Sequence, residues 1–189
     1  MKTAFIAILI IQLHIYSQDE TDKSAKYLSW ALIQTIPSPV FFHDSDGKNG
    51  RLQFGLRWQL IPLNISFRPN KYISRVQFFM INPVRRFTGS IELFIQPEWA
   101  AAKYQFASIN RFGIAAGSRI IIPLKGGGQN LSASIGGKYN YHKEISGGSN
   151  TYFGIESGIY IIYGVLGIHF NYNFNTNSKY NAGLFFKYF

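Results

Sequence analysis

The chain has 189 residues, a formal net charge of +10 at pH 7 and no cysteine. Its length suits one domain, and the missing thiols exclude disulfides, thiolate zinc sites and a lipid anchor on an N-terminal cysteine. Charged residues make up only 15% against 17 Phe, 12 Tyr and 18 Gly, so the basic surplus does not read as a solvated nucleic-acid-binding surface.

Residues 1–17 read as a secretory signal peptide. Lys2 is the positive start, Ala4 to Leu13 form an apolar stretch broken by Gln12, and Ser17 is a small residue before Gln18-Asp19-Glu20. The run is shorter than the ~20 apolar residues of a spanning helix. Residues 18–49 are expected to be an N-terminal periplasmic segment or plug. Within them Tyr27 to Phe42 could form a strand, a short helix or a lumenal plug, and Pro37 and Pro39 argue against a regular strand.

From residue 50 to 189 the chain alternates with period two, the signature of strands with one apolar face. Leu52, Phe54, Leu56, Trp58 and Leu60 oppose Arg51, Gln53, Gly55, Arg57 and Gln59. The phase changes at Ile61-Pro62, where a bulge within one long strand fits better than a hairpin lacking Gly or Asn. Ile91, Leu93, Ile95 and Trp99 then oppose Glu92, Gln96 and Glu98; Phe112, Ile114, Ile120 and Ile122 oppose Arg111, Gly113, Gly117 and Arg119. Over 130–142, Leu131, Ala133, Ile135, Tyr139 and Tyr141 oppose Ser132, Ser134, Lys138, Asn140 and His142. Residues 151–163 and 164–174 continue the pattern with Glu156, His169, Asn171 and Asn173 on the polar face.

Glycine placement separates two architectures. Gly55, Gly113, Gly117, Gly136, Gly154, Gly158, Gly167 and Gly183 fall on the polar face, with Gly137 the main exception. A water-facing surface gains nothing from glycine, whereas a narrow lumen needs small residues. The expectation is an all-β, antiparallel up-and-down transmembrane barrel, polar inside and apolar outside, with eight strands and ten as the alternative. Counting back from Phe189 puts loops 68–71, 100–109, 143–150 and 175–178 outside the cell and turns 82–87, 124–128 and 163–164 on the inner side. Aromatics near the outer ends (Tyr72, Trp99, Phe112, Tyr139, Tyr141, Phe153, Tyr172, Tyr180) and inner ends (Tyr163, Phe186, Tyr188) flank an aliphatic band of Ile114, Ile135, Ile159, Ile168 and Leu184.

The lumen is expected to hold an ion-pair network of Glu92, Glu98 and Glu156 with Arg57, Arg111, Arg119 and Lys138, to which Arg51 and Lys187 add further cations. His142 and His169 read as polar lining; no His-x-Ser pairing accompanies them, and no catalytic set is assigned. His43-Asp44-Ser45-Asp46-Gly47 lacks the spaced carboxylates and closing Glu of a calcium loop. Gly126-Gly127-Gly128 lacks the Lys and helix of a phosphate loop. Neither a metal nor a cofactor is expected.

The C-terminus runs polar-x-Gly-x-x-aromatic-x-aromatic through Asn181, Gly183, Phe186 and Tyr188, ending on Phe189. This resembles the insertion signal of bacterial outer-membrane barrels. With the export signal and the alternation, the chain is similar to the small outer-membrane β-barrel family, OmpA-like or OmpX-like in its eight-strand form. Gln18 after the cleavage edge is similar to Bacteroidota exports. The resemblance covers roughly residues 50 to 189 and implies an outer-membrane location. As partners it implies membrane lipids, lipopolysaccharide, the barrel assembly machinery and a possible envelope protein. The function it implies is non-enzymatic, structural or accessory to the envelope or secretion, with a lipid A-modifying enzyme or a small anion-selective pore as alternatives.

Overall fold

A computed structural model describes the backbone of Leu28, of residues 31, 32 and 34–186 except 46–49, 70, 72–73, 80–88, 101–109, 126–129, 145–147, 163 and 175–177. Side chains at 44, 45, 50, 51, 110, 111, 144, 178 and 186 are also outside that description. The expected export signal at 1–17 lies outside the described residues. Of the segment before residue 36, Thr35 donates from its backbone N–H and its Oγ1 to the Leu32 carbonyl, closing a turn.

Ten strands follow in chain order: β1 Ser38–Ser45, β2 Gly50–Arg57, β3 Leu60–Ser66, β4 Val76–Phe78, β5 Ser90–Ala100, β6 Asn110–Lys125, β7 Leu131–Glu144, β8 Ser149–Ile161, β9 Leu166–Asn173 and β10 Ser178–Phe186. All pairings are antiparallel, in the order β2-β1-β10-β9-β8-β7-β6-β5-β3-β4. The additional β2–β5 ladder, from Gly55 opposite Ala100 to Arg57 opposite Glu98, closes a ring of eight strands and leaves β3 and β4 as extra strands. Closure removes the sheet edges that would otherwise template aggregation.

β2 and β3 run one after the other along β5. Trp58 N–H donates to the Pro97 carbonyl at 2.9 Å between the two ladders. Leu60 stands opposite Ile95 and Leu63 opposite Leu93, so three residues on one side match two on the other. The extra residue sits at Ile61-Pro62, where the alternation changes phase.

Two expectations need correction. The barrel does not begin at residue 50: Ser38–Ser45, assigned above to a periplasmic segment or plug, is the strand that closes the ring, pairing with both β2 and β10. Pro39 stands one residue before the β10 ladder begins at Val40, a strand-end position where a missing N–H is tolerated. Conversely, only Val76–Phe78 of the region between 72 and 81 is described as a strand, and it adds to β3 outside the ring. The end of β3 therefore lies at the same end of the barrel as the ends of β6 and β8, not opposite them as the expected outer loop at 68–71 required. That end also carries Ser38 and Phe186.

The two faces of the wall have opposite character. Ile122, Ala133, Ile159, Ile168 and Leu184 stand side by side across β6 to β10, all pointing outward. Ile159 is 56% exposed and Ile168 60%, whereas Glu92, Gln96 and Glu156 inside the ring are fully buried. Soluble proteins distribute these residue types the other way round. Trp99, Phe112, Tyr139, Tyr141, Phe153, Tyr172 and Tyr180 are exposed toward the end that bears the 101–109 and 145–148 connections.

Candidate functional site: the barrel interior

Inward-facing side chains from β2 and β5 to β10 meet in two charged centres. In the first, Glu98 Oε1 accepts from Arg57 Nε at 2.6 Å and lies 3.6 Å from Lys138 Nζ, while Oε2 is 3.8 Å from His142 Nε2. Arg57 also donates through Nη2 to Asn181 Oδ1 at 2.8 Å, and Asn171 Nδ2 donates to the same oxygen at 2.6 Å. The imidazole of His142 stacks on Tyr152 with centroids 5.3 Å apart.

The second centre is built on Arg119. Its Nε and Nη2 reach Glu92 Oε2 at 2.9 and 2.8 Å, and Nη1 reaches Glu156 Oε1 at 2.9 Å. The Gln59 amide, with its oxygen turned toward Arg119, accepts from Nη1 at 2.8 Å. The rings of Phe94, Phe185 and Tyr160 surround the guanidinium, with centroids 5.1, 5.6 and 6.0 Å from Cζ. A planar, weakly hydrated guanidinium suits this mixture of carboxylates and ring faces better than an ammonium would. His169 brings Nδ1 to 3.3 Å from Glu156 Oε1 and stacks on Phe185 at 4.8 Å. Gln96 joins the two centres, accepting from Lys138 Nζ at 3.3 Å and donating to Glu156 Oε2 at 2.8 Å.

The glycines of the inward face create the room for these pairs. Gly136 of β7 stands between Arg119 and Glu156 in the ladders, and a Cβ there would collide with the Ser118 carbonyl and lie 2.6 Å from Arg119 Cβ. Only a residue without a side chain lets the arginine cross that strand. Gly137 faces outward instead, where the Phe153 ring covers it.

Of the expected network residues, Glu92, Glu98, Glu156, Arg57, Arg119 and Lys138 are brought together inside the ring. Arg111 lies on β6, but its side chain is outside the described residues, as are those of Arg51 and Lys187. Among the described residues the buried charges balance, three carboxylates against three Arg and Lys cations. The cations that make up the expected surplus, Arg51, Arg111 and Lys187, are the ones whose side chains lie outside the described residues. Asn181 and Gly183, read above as part of a terminal signal, face inward: Asn181 is a hydrogen-bond acceptor of the first centre, and Gly183 packs on Val40. Phe186 is described as backbone of β10 alone, and Tyr188 and Phe189 fall outside the described residues.

The aromatic half of the Arg119 centre was missed. Phe94, Tyr160 and Phe185 share the period-two parity of Glu92, Glu156 and Gly183, so the alternation carries the signal for their inward position. Gln96 was placed on the correct face, though its bridging role depends on which strands meet.

Among the described residues, three buried atoms of the two centres, Glu98 Oε2, His142 Nε2 and His169 Nε2, have no hydrogen-bond partner. The carboxylates are held by cations, and Ser134 Oγ lies 2.8 Å from the Tyr160 hydroxyl, not against a histidine. Comparisons with protein-family models, characterised proteins and solved structures found no match to this chain.

Proposed function

We propose that this chain is an integral bacterial outer-membrane β-barrel with a non-enzymatic role, structural or accessory to envelope or secretion assemblies. The observation that carries the reading is the reversal of polarity: a closed ring with exposed isoleucine rows outside and, among the described residues, ion-paired charges inside. An apolar exterior of this extent is costly in water and stable in lipid, where only helices and closed barrels satisfy their own backbone. The partners on this reading are outer-membrane lipids and lipopolysaccharide around the wall, and the barrel assembly machinery acting on the C-terminal strand. The interior of an eight-strand ring is just wide enough for its own side chains, and two bridged ion-pair centres occupy it. That argues for a plugged wall element over a pore.

The test is expression of the full chain with its N-terminal segment, followed by membrane fractionation and planar-bilayer recording. The expected result is a heat-modifiable protein in the outer-membrane fraction that gives no steady current. Steady anion-selective current would overturn the plugged reading, and recovery in the soluble fraction would overturn the membrane one. Replacing Phe186 and Tyr188 with Ser should cut the outer-membrane level. An unchanged level would remove the assembly-signal argument.

A further inference from the structure

The hairpin made by β3 and β4 stands outside the ring of eight yet continues its apolar surface. By register, Val76, Ile65, Ile91, Ile120 and Ile135 form one row across β4, β3, β5, β6 and β7. Phe78, opposite Leu63, is 66% exposed. Past the end of that row the chain turns between Phe67 and Arg75, with Ser66 N–H donating to the Arg75 carbonyl at 2.8 Å. Arg68, Lys71 and Arg75 are all exposed there.

Lys125, exposed at the end of β6, lies at the same end of the barrel. Gly89 ties this corner to the hairpin, since a Cβ on it would sit 3.0 Å from Phe67 and 3.3 Å from Pro123. No Asp or Glu occurs in the sequence from Phe67 to Phe79, which carries Arg68, Lys71 and Arg75. At the other end Lys143 and Lys179 are exposed, and Glu144 follows Lys143 in the sequence.

We propose that the β3–β4 hairpin binds the phosphate headgroups of anionic phospholipids in the leaflet that meets the end carrying Ser38 and Phe186. The inference rests on the membrane reading above. An apolar row that ends in an acid-free cluster of Arg and Lys matches a lipid, acyl chain on the row and phosphate on the cations. Each cation held near an anionic headgroup surface enriches that lipid by about fivefold. The hairpin is an annular lipid site fixed to one side of the wall.

The experiment uses the full chain reconstituted in vesicles of mixed phosphatidylcholine and phosphatidylglycerol, then extracted gently for native mass spectrometry of retained lipid. Flotation with the vesicles reports insertion separately. Wild type should retain phosphatidylglycerol well above its bulk fraction. The R68Q/K71Q/R75Q variant should fall to near the bulk fraction, and K143Q/K179Q at the opposite end should behave as wild type. If the triple variant folds poorly, the wild-type enrichment should still fall as ionic strength rises from 0.15 M toward ~1 M, where screening shortens to about 3 Å. Enrichment untouched by both the triple variant and salt overturns the site. So does equal loss in the opposite-end pair. Failure to float overturns the membrane reading, and the site with it.

Discussion

Arg119 and Glu156 form a 2.9 Å ion pair across a strand that belongs to neither of them. Both side chains reach over β7, and Gly136 is the residue they pass. Gly136→Ala should therefore cost stability through a wedge between backbone and arginine, about 1–3 kcal/mol as for other overpacked sites. Gly137→Ala, which meets only the edge of the movable Phe153 ring at 2.8 Å, should cost less. Urea unfolding of the two variants refolded in micelles measures the difference, and equal midpoints would disprove the crossing role of Gly136.

The three buried carboxylates are not equivalent. Glu98 is the one carboxylate among the described residues within ion-pair distance of Arg57 and Lys138, whereas Arg119 touches both Glu92 and Glu156. Glu98→Gln leaves two buried cations without a carboxylate partner, and breaking a buried pair from one side costs on the order of 3–5 kcal/mol. Glu92→Gln leaves Arg119 its contact with Glu156 and should cost clearly less. Thermal unfolding followed by circular dichroism gives the ranking.

Depth along one outward face offers a test of the lipid reading. Ile159 and Thr151 both point outward from β8, but Ile159 lies in the isoleucine row while Thr151 is near the strand's start. Ile159→Arg should destabilise the inserted barrel by about 2–4 kcal/mol and Thr151→Arg by about 0–1 kcal/mol. Folded yield in vesicles, read by the mobility shift of unheated samples, separates them. The same small penalty at both positions would place the apolar face in water.

The turn from β8 to β9 stores strain in a β-branched residue. Ile162 has φ 52° and Gly164 φ 77°, with Gly164 N–H and Val165 N–H donating to the carbonyls of Ile161 and Ile162. A left-handed conformation costs an L-residue roughly 1–2 kcal/mol, less for Asn than for Ile. Ile162→Asn should thus raise the unfolding midpoint, and Gly164→Ala should lower it. A lowered midpoint for Ile162→Asn would mean that the exposed side chain contributes more than the strain it imposes.

Period-two alternation and the glycines of one face were enough to read a closed barrel, its inside-out polarity and the bulge at Ile61-Pro62. These follow from local chemistry, because a strand's two faces are written in every second residue. The inward positions of Glu92, Glu98, Glu156, Arg57, Arg119 and Lys138 were legible for the same reason. Which strand closes the ring was not. Ser38–Ser45 carries Pro39 and looks a poor strand by itself, yet it fills the gap between β2 and β10 because, besides its neighbour β2, the last strand of the chain supplies its second ladder, from Val40 opposite Gly183 to Asp44 opposite Ser178. Val76–Phe78, by contrast, pairs with β3 outside the ring. Register between distant strands also decided that Arg119 crosses at Gly136, that Gln96 links the two centres and that Phe94, Tyr160 and Phe185 line the guanidinium. Such pairings depend on closing long loops in a particular stagger, a property of the whole ring and of no segment within it.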